Sequence, residues 1–367
     1  MKVLHIANKN NGNGVASFIM NYYRHIDYNK IQFDFISHSS LEDSNAEEIQ
    51  NLGGNVFNVP SYKKYLFKYI NSVYKIIKSG TYDIIHCHQF PIDIISLFIA
   101  KKKGIKVRIF HAHNNAFYSF VKRLLVYLFR NIWGCVVTDF SACSVDAGHF
   151  FFGNRYKYII FNNAIEPERY VFNSIARNSI RNNLYLPENA FVIGYVARFV
   201  KQKNYFFLIN VFKNILYKND NSFLLLIGDG KLLKKIKKYV ATLNLLKNVL
   251  FYGVSERVYE LYSAMDVFVF PSLFEGLGIA GIEAQCAGLP VIASLNIPKE
   301  MQVTDLVSWL DLKVGAEKWA EKVLEYSIPK KRENMTEIIT RNGYNIKNEC
   351  NKLENEYARL IQLRTEV

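Results

Sequence analysis

The chain has 367 residues, half of them hydrophobic and 21% charged, enough apolar surface for two domains, which excludes a disordered chain and a single small module. Forty-six Lys and Arg against 32 Asp and Glu leave a net charge of +14. The stretch 51–130 holds thirteen of those basic residues against only Asp83 and Asp93, so an anionic partner is expected: a phosphorylated small molecule, an acidic membrane surface or nucleic acid.

In chain order, the opening MKVLHIAN passes directly into a strand at 3–7 with no signal-peptide pattern, so a cytosolic protein is expected. Gly12 and Gly14 then allow the backbone to approach a ligand ahead of a helix beginning near Val15. Strands are predicted at 33–37, 56–59, 84–87, 107–111 and 158–161, and in the second half at 192–197, 223–227, 250–253, 267–270 and 291–294. Amphipathic stretches separate them, the pattern of parallel sheets covered by helices. Two Rossmann-like α/β units follow, with the polar stretch 173–189 as linker, a boundary near 185 and a last helix over 345–364.

Two basic helices stand out in the first half. Over 62–78 an apolar stripe at i, i+3, i+4 spacing faces away from five lysines, which a sheet-covering helix with a solvated face explains. Over 117–133 the aromatics spread around more than one face beside Lys122, Arg123 and Arg130, so docking on a membrane surface and simple burial stand level. No run approaches the roughly 20 apolar residues of a bilayer-crossing helix. No zinc finger or helix-turn-helix supports nucleic acid as a partner. Five cysteines without a CxxC pair read as reduced and mostly buried hydrophobes.

Besides the Gly12 and Gly14 loop, two segments carry chemistry. In FPSLFEGLGIAGIEAQCAGLPVIAS, residues 270–294, a strand passes through Gly276, Leu277 and Gly278 into a helix, presenting unpaired N–H groups and a positive dipole end to an anion such as phosphate. Glu275 and Glu283 bracket that turn, and carboxylates accept hydrogen bonds from sugar hydroxyls. In GYVARFVKQKN, residues 194–204, Arg198 and Lys203 follow a strand end, where an α/β sheet lines its ligand crevice, and can neutralise a diphosphate. No DxD sequence is present, so fixed cations are expected to replace a divalent metal. His86/His88 and His111/His113 sit at strand ends. A zinc site could be assembled from them, but no carboxylate or thiolate beyond Cys87 lies close in sequence, and hydrogen bonding to a ligand fits better.

These segments together resemble the retaining glycosyltransferases of the GT-B fold that carry an E-x7-E motif, in the bacterial branch that builds capsular and extracellular polysaccharides. Glu275 and Glu283 are the motif acids, and the likeness extends to DIIHCHQ (83–89), RIFHAHN (108–114), FSACSVDAGHFFFG (140–153), FNNAIEPERY (161–170), LLLIGDG (224–230) and IPKE (297–300). The resemblance implies an acceptor-side domain over 1–185, a nucleotide-sugar donor domain over 186–344, a cleft between them, and a terminal helix over 345–367 that packs back on the first. It implies that Arg198 and Lys203 hold the donor diphosphate and stabilise the leaving group, that Gly276 to Gly278 cap it, that Glu275 contacts the transferred sugar and Glu283 the ribose. Gly12 and Gly14 match the loop that approaches the diphosphate, and His113 matches the histidine facing sugar and acceptor, with His111 a second candidate. Ala16 stands where relatives often have an acid, which bears on acceptor contacts. The expectation is a metal-independent, retaining transferase that uses a UDP-sugar and a lipid-linked acceptor at the inner face of the membrane, with no cofactor. The alternative is a non-catalytic nucleotide-sugar-binding subunit.

Overall fold

The computed structural model describes residues 1–7, 14–37, 44–88, 90–113, 120–328 and 330–366. Gly12 lies outside these residues. The chain divides into two compact units, Met1–Ala164 with Ile346–Val367, and Ile165–Asn345.

The first unit is built on a seven-stranded sheet ordered β3-β2-β1-β4-β5-β6-β7, with β1 Lys2–Ile6, β2 Gln32–Ser37, β3 Val56–Asn58, β4 Ile84–Cys87, β5 Val107–Ala112, β6 Asp139–Ala142 and β7 Ile159–Ile160. The second has six strands ordered β10-β9-β8-β11-β12-β13: β8 Phe191–Val196, β9 Ser222–Ile227, β10 Val249–Gly253, β11 Val267–Phe270, β12 Val291–Ser294 and β13 Val307–Leu310. All pairings are parallel, as near-continuous Val/Ile/Leu/Phe runs buried on both faces require. These are doubly wound sheets of the GT-B class. In each unit the strand order reverses once, between β1 and β4 and between β8 and β11, and ligands of such sheets bind at that reversal, beyond the carboxyl ends of the strands.

Two strands were not predicted. β6, DFSA, and β13, VSWL, are four-residue strands with only half-buried or mixed patterns, too short for a period-2 signal. The expected boundary near 185 is displaced to Ala164/Ile165. The supposed linker is ordered: Ser174–Asn183 is a helix capped by the Asn173 side chain, which accepts from the Ala176 N–H. Its polar composition serves a buried ion cluster. Asp266, 5% exposed at its side chain, meets Arg177 at 2.6 Å and Arg181 at 2.7 Å, and also accepts from the Val192 N–H at 2.7 Å. Asp266→Ala therefore leaves two guanidinium groups without their counter-charge and should cost about 3–5 kcal/mol, read as a lower denaturation midpoint with unchanged denaturant slope.

The terminal helix, Ile346–Thr365, buries Ile346, Cys350, Leu353, Tyr357 and Leu360. These side chains belong to the core cluster formed with Phe18, Tyr22 and Phe33 of the first unit. The helix predicted over 62–78 spans Leu66–Ser79 and buries Tyr69, Val73 and Ile77, a sheet-covering helix as expected. The stretch 117–133 breaks into two helices, Phe120–Phe129 and Trp133–Val136. Trp133 is fully buried, whereas Phe120, Val121, Leu124, Tyr127 and Leu128 are exposed. Among the described residues no helix is long and apolar enough to cross a membrane.

Candidate active site

Arg198 stands two residues beyond β8 on a turn fixed by backbone bonds: Ala197 N–H donates to the Ile227 carbonyl at 3.0 Å and Phe199 N–H to the Asp229 carbonyl at 2.9 Å. The partner turn is Gly228-Asp229-Gly230. At Gly228, with φ +132°, a Cβ would lie 2.2 Å from the Ala197 carbonyl oxygen, so only glycine lets the two turns close on each other. The Arg198 side chain is exposed and has no ion-pair partner among the described residues.

Lys203 ends the 3-10 turn Lys201–Lys203. This turn is stitched to the loop after β11, with Leu273 N–H donating to the Gln202 carbonyl at 2.8 Å, the Gln202 side chain to the Phe274 carbonyl at 2.9 Å and the Asn204 side chain to the Pro271 carbonyl at 3.1 Å. The Tyr195 hydroxyl on β8 reaches the Lys203 carbonyl and Ser272 Oγ, each at 3.0 Å. The result is an ion pair not foreseen from sequence, Lys203 Nζ to Glu275 Oε1 at 2.6 Å, with side chains only 16% and 7% exposed. The cation expected at a diphosphate and the acid expected at sugar hydroxyls thus hold each other in place. The lysine keeps two further N–H donors, and the carboxylate keeps unused lone pairs.

Gly278 is the N-cap of helix Ile279–Cys286, with φ +91° and ψ 47° and no side-chain cap. A Cβ there would lie 3.1 Å from Phe270 Cε1 and 3.4 Å from Ile297 and Met301 carbons. The first N–H groups of the helix are left to the loop or to an anion. Gly276 is exposed, and Leu277 is buried at 7%. Glu283, in the second turn, is neither surface-exposed nor free. It accepts from the Tyr262 hydroxyl at 2.7 Å and the Tyr170 hydroxyl at 3.1 Å. Burial pushes its carboxyl above the usual range, and the two tyrosine bonds oppose that shift.

Gly14 and His113 belong to the first unit. Gly14 opens the helix Gly14–Tyr23. His113 follows β5 and is partly exposed, and burial among its neighbours pushes it down to about 3, so it is neutral at physiological pH. His111 is 1% exposed with Nδ1 3.2 Å from His86 Nε2. It lies inside the unit, which removes it as the second candidate for contact with a substrate.

Two family descriptions match the chain, "Glycosyl transferases group 1" over residues 176–342 and "Glycosyltransferase Family 4" over residues 12–140. EpsF of Bacillus subtilis (strain 168), which carries a glycosyltransferase name, is 33% identical over 97% of this chain and 96% of its own. The chain belongs to the GT-B glycosyltransferases. A UDP-Gal:alpha-D-GlcNAc-diphosphoundecaprenol alpha-1,3-galactosyltransferase of Escherichia coli is 29% identical over 62% of this chain and 61% of its own. Anabaena HepE, solved with UDP, superposes with a TM-score of 0.72 at 15% identity, covering 100% of this chain and 99% of its own, a likeness of fold.

In this glycosyltransferase two of the segments picked out by sequence meet at the reversal of the second sheet: the Arg198 and Lys203 turns follow β8, and the Glu275 loop follows the adjacent β11. Sequence reading missed Gln202, Tyr195 and Ser272, which hold the Lys203 turn against the Glu275 loop, and Tyr170 and Tyr262, which hold Glu283. Tyr170 lies at the end of FNNAIEPERY, assigned from sequence to the first domain but part of the second unit. No periodic signal marks such residues, since each serves through one hydroxyl or amide.

Proposed function

We propose that this protein transfers a sugar from a uridine diphosphate donor to a lipid-linked glycan acceptor in cell-surface polysaccharide assembly, with retention at the anomeric carbon and without a bound metal. The observation that carries this reading is the Lys203–Glu275 pair at 2.6 Å, together with Arg198, which has no ion-pair partner among the described residues, and the Gly278 helix terminus. Negative charge grows on the leaving diphosphate oxygen as the anomeric bond breaks, and two fixed cations with a helix N-terminus stabilise it without reorganising. Glu275 accepts from hydroxyls of the transferred sugar and Glu283 from the ribose. Gly14 serves on the diphosphate side and His113 on the sugar and acceptor side. With Glu275 tied to Lys203 and Glu283 to two tyrosines, neither acid is set up as a nucleophile. Front-face attack by the acceptor hydroxyl, its proton passing to the departing phosphate, fits that arrangement.

The names of two similar proteins support the choice of substrates: the Escherichia coli relative is named for UDP-Gal and a diphosphoundecaprenol acceptor, and Anabaena HepE was solved with UDP. A membrane-bound acceptor also gives a use to the apolar face of Phe120–Phe129, where Phe120 is 74% and Tyr127 66% exposed beside Arg123. Such a face suits the interfacial region of an anionic bilayer. Vesicles containing anionic lipid should retain the protein at low salt, and Phe120→Asp with Tyr127→Asp should release it. The function itself is tested with UDP-sugars and a GlcNAc-diphospho-polyprenol acceptor. Product whose new linkage keeps the donor's anomeric configuration is expected. UDP-sugar binding with no transfer across a broad acceptor panel would instead favour a non-catalytic binding subunit.

A further inference from the structure

The donor site leaves five histidines of the first unit unexplained. His5 on β1 pairs in register with His86 on β4, and strand alternation puts His86 and His88, and likewise His111 and His113, on the same face. His5 Nδ1 lies 2.9 Å from His88 Nε2, and His88 Nδ1 lies 2.9 Å from His113 Nε2. The ring centroids are 5.2 Å and 5.1 Å apart, the spacing of rings set end to end with nitrogen aimed at nitrogen. A second chain runs beside the first: the Tyr357 hydroxyl lies 2.6 Å from His86 Nδ1, and His86 Nε2 lies 3.2 Å from His111 Nδ1.

The triads His5/His86/His88 and His88/His111/His113 lie close enough to hold a metal ion, but the 2.9 Å spacings are those of hydrogen bonds, and the zinc content of the purified protein separates the two. Two imidazole nitrogens on one tetrahedral zinc stand about 3.3 Å apart, given metal–nitrogen bonds near 2.0–2.1 Å, whereas 2.9 Å is an N–H···N contact. Burial drives all five rings to the neutral form. A neutral imidazole has one N–H and one lone pair, so a ring that accepts at Nδ1 must carry its proton on Nε2. In a chain, each choice therefore dictates the next.

The ends decide the direction. In the second chain the Tyr357 O–H donates to His86 Nδ1, so His86 donates from Nε2 to His111. In the first, His5 Nε2 is buried with no hydrogen-bond partner among the described residues, and the His5 ring lies 4.2 Å from Phe33 and 5.6 Å from Phe35. The negative faces of aromatic rings tolerate an N–H and disfavour a lone pair. With the His5 proton placed on Nε2 among these rings, as His111 Nε2 is likewise buried without a partner at the end of the second chain, His88 and His113 carry theirs on Nε2 as well.

We propose that His5 and His88 are positioning residues that lock His113 in the Nε2–H tautomer, so that its Nδ1 is a permanent hydrogen-bond acceptor for a substrate hydroxyl. This rests on the reading above that His113 serves the sugar and acceptor. The chain is a lock and not a proton relay, because it ends inside the unit at His5, where a proton passed inward would leave a buried cation without a counter-charge.

The test uses the full-length protein with 15N-labelled histidine and long-range 1H–15N spectra at pH 7.5, alongside transfer kinetics. The wild-type His113 resonances should report a protonated Nε2 and a bare Nδ1. His88→Phe should release His113 into a mixture of tautomers and lower kcat about tenfold with the donor KM unchanged. His88→Gln keeps one acceptor and one donor and should hold the tautomer and most of the rate. His5→Phe provides the same cut one ring deeper should His88→Phe not fold. A wild-type His113 protonated on Nδ1, a tautomer unmoved by cutting the chain, or stoichiometric zinc in the purified protein overturns the lock. Unchanged activity in His113→Ala, with the tautomer fixed as described, instead overturns the assignment of His113 to the substrate and leaves the lock standing.

Discussion

Lowering the pH from 7.5 to 5.5 should destabilise the first unit by about 5 kcal/mol and cause no such loss in the second, where the raised Glu283 carboxyl acts in the stabilising direction. His5, His86, His88 and His111 are each at most 5% exposed, and desolvation holds each below the usual imidazole range, His5 at about 3. The unfolded chain takes up protons at these sites near pH 6.5, and the folded unit does not. Stability from these groups is therefore fully present above about pH 6.5 and falls as the pH drops toward the folded values, by about 1.4 kcal/mol per group per pH unit. Glu349 acts in the opposite direction. Burial raises its carboxyl above the usual range, so it gains relative stability as the pH falls through that raised value toward about 4.5, and one such group offsets at most one histidine. All eight histidines of the chain precede residue 150, so the second unit, Ile165–Asn345, has none. Calorimetry should show one transition moving down by roughly 10–20 °C while the other stays. Two transitions shifting together, or neither shifting, would contradict neutral burial of the imidazoles.

Arg198→Ala should reduce kcat by about 10²–10³, the loss typical of removing one preorganised group that stabilises developing negative charge, with stability changed by no more than about 0.5 kcal/mol. The separation of effects follows from geometry: Arg198 is exposed and without an ion-pair partner among the described residues, so the fold does not use its side chain. Lys203 differs. Its removal strands the Glu275 carboxylate, 7% exposed, and Lys203→Met should lose both activity and roughly 3–5 kcal/mol of stability. Adding Glu275→Gln to Lys203→Met removes the stranded charge, so it should recover most of the stability and none of the activity. A double variant as unstable as Lys203→Met alone would mean that the pair is not the electrostatic unit described.

Much of the candidate site was legible because backbone chemistry writes itself into local sequence. A strand that runs through Gly276 and Gly278 into a helix announces a tight turn and an exposed helix N-terminus, and Gly278 does adopt φ +91°. The alternation of apolar strands with amphipathic helices gave both sheets, except the short β6 and β13. What remained hidden was set by partners distant in sequence. The Asn- and Arg-rich stretch 173–189 looked like solvated linker because its arginines meet Asp266 some 85 residues away or more, and no local pattern records that. Lys203 and Glu275, separated by 72 positions, were each assigned a ligand and not each other. The histidine chains join β1, β4 and β5 to the last helix, where Tyr357 meets His86 across 271 residues. His5 in particular carried no motif and reads as one more residue of a buried strand.

A structure of the protein with UDP bound tests the central claim most directly. The diphosphate should lie within hydrogen-bond distance, about 2.7–3.2 Å, of both Arg198 and Lys203, against the N-terminus of helix Ile279–Cys286, with Glu283 near the ribose. A diphosphate bound elsewhere, with Lys203 closed on Glu275 and Arg198 still in solvent, would contradict it.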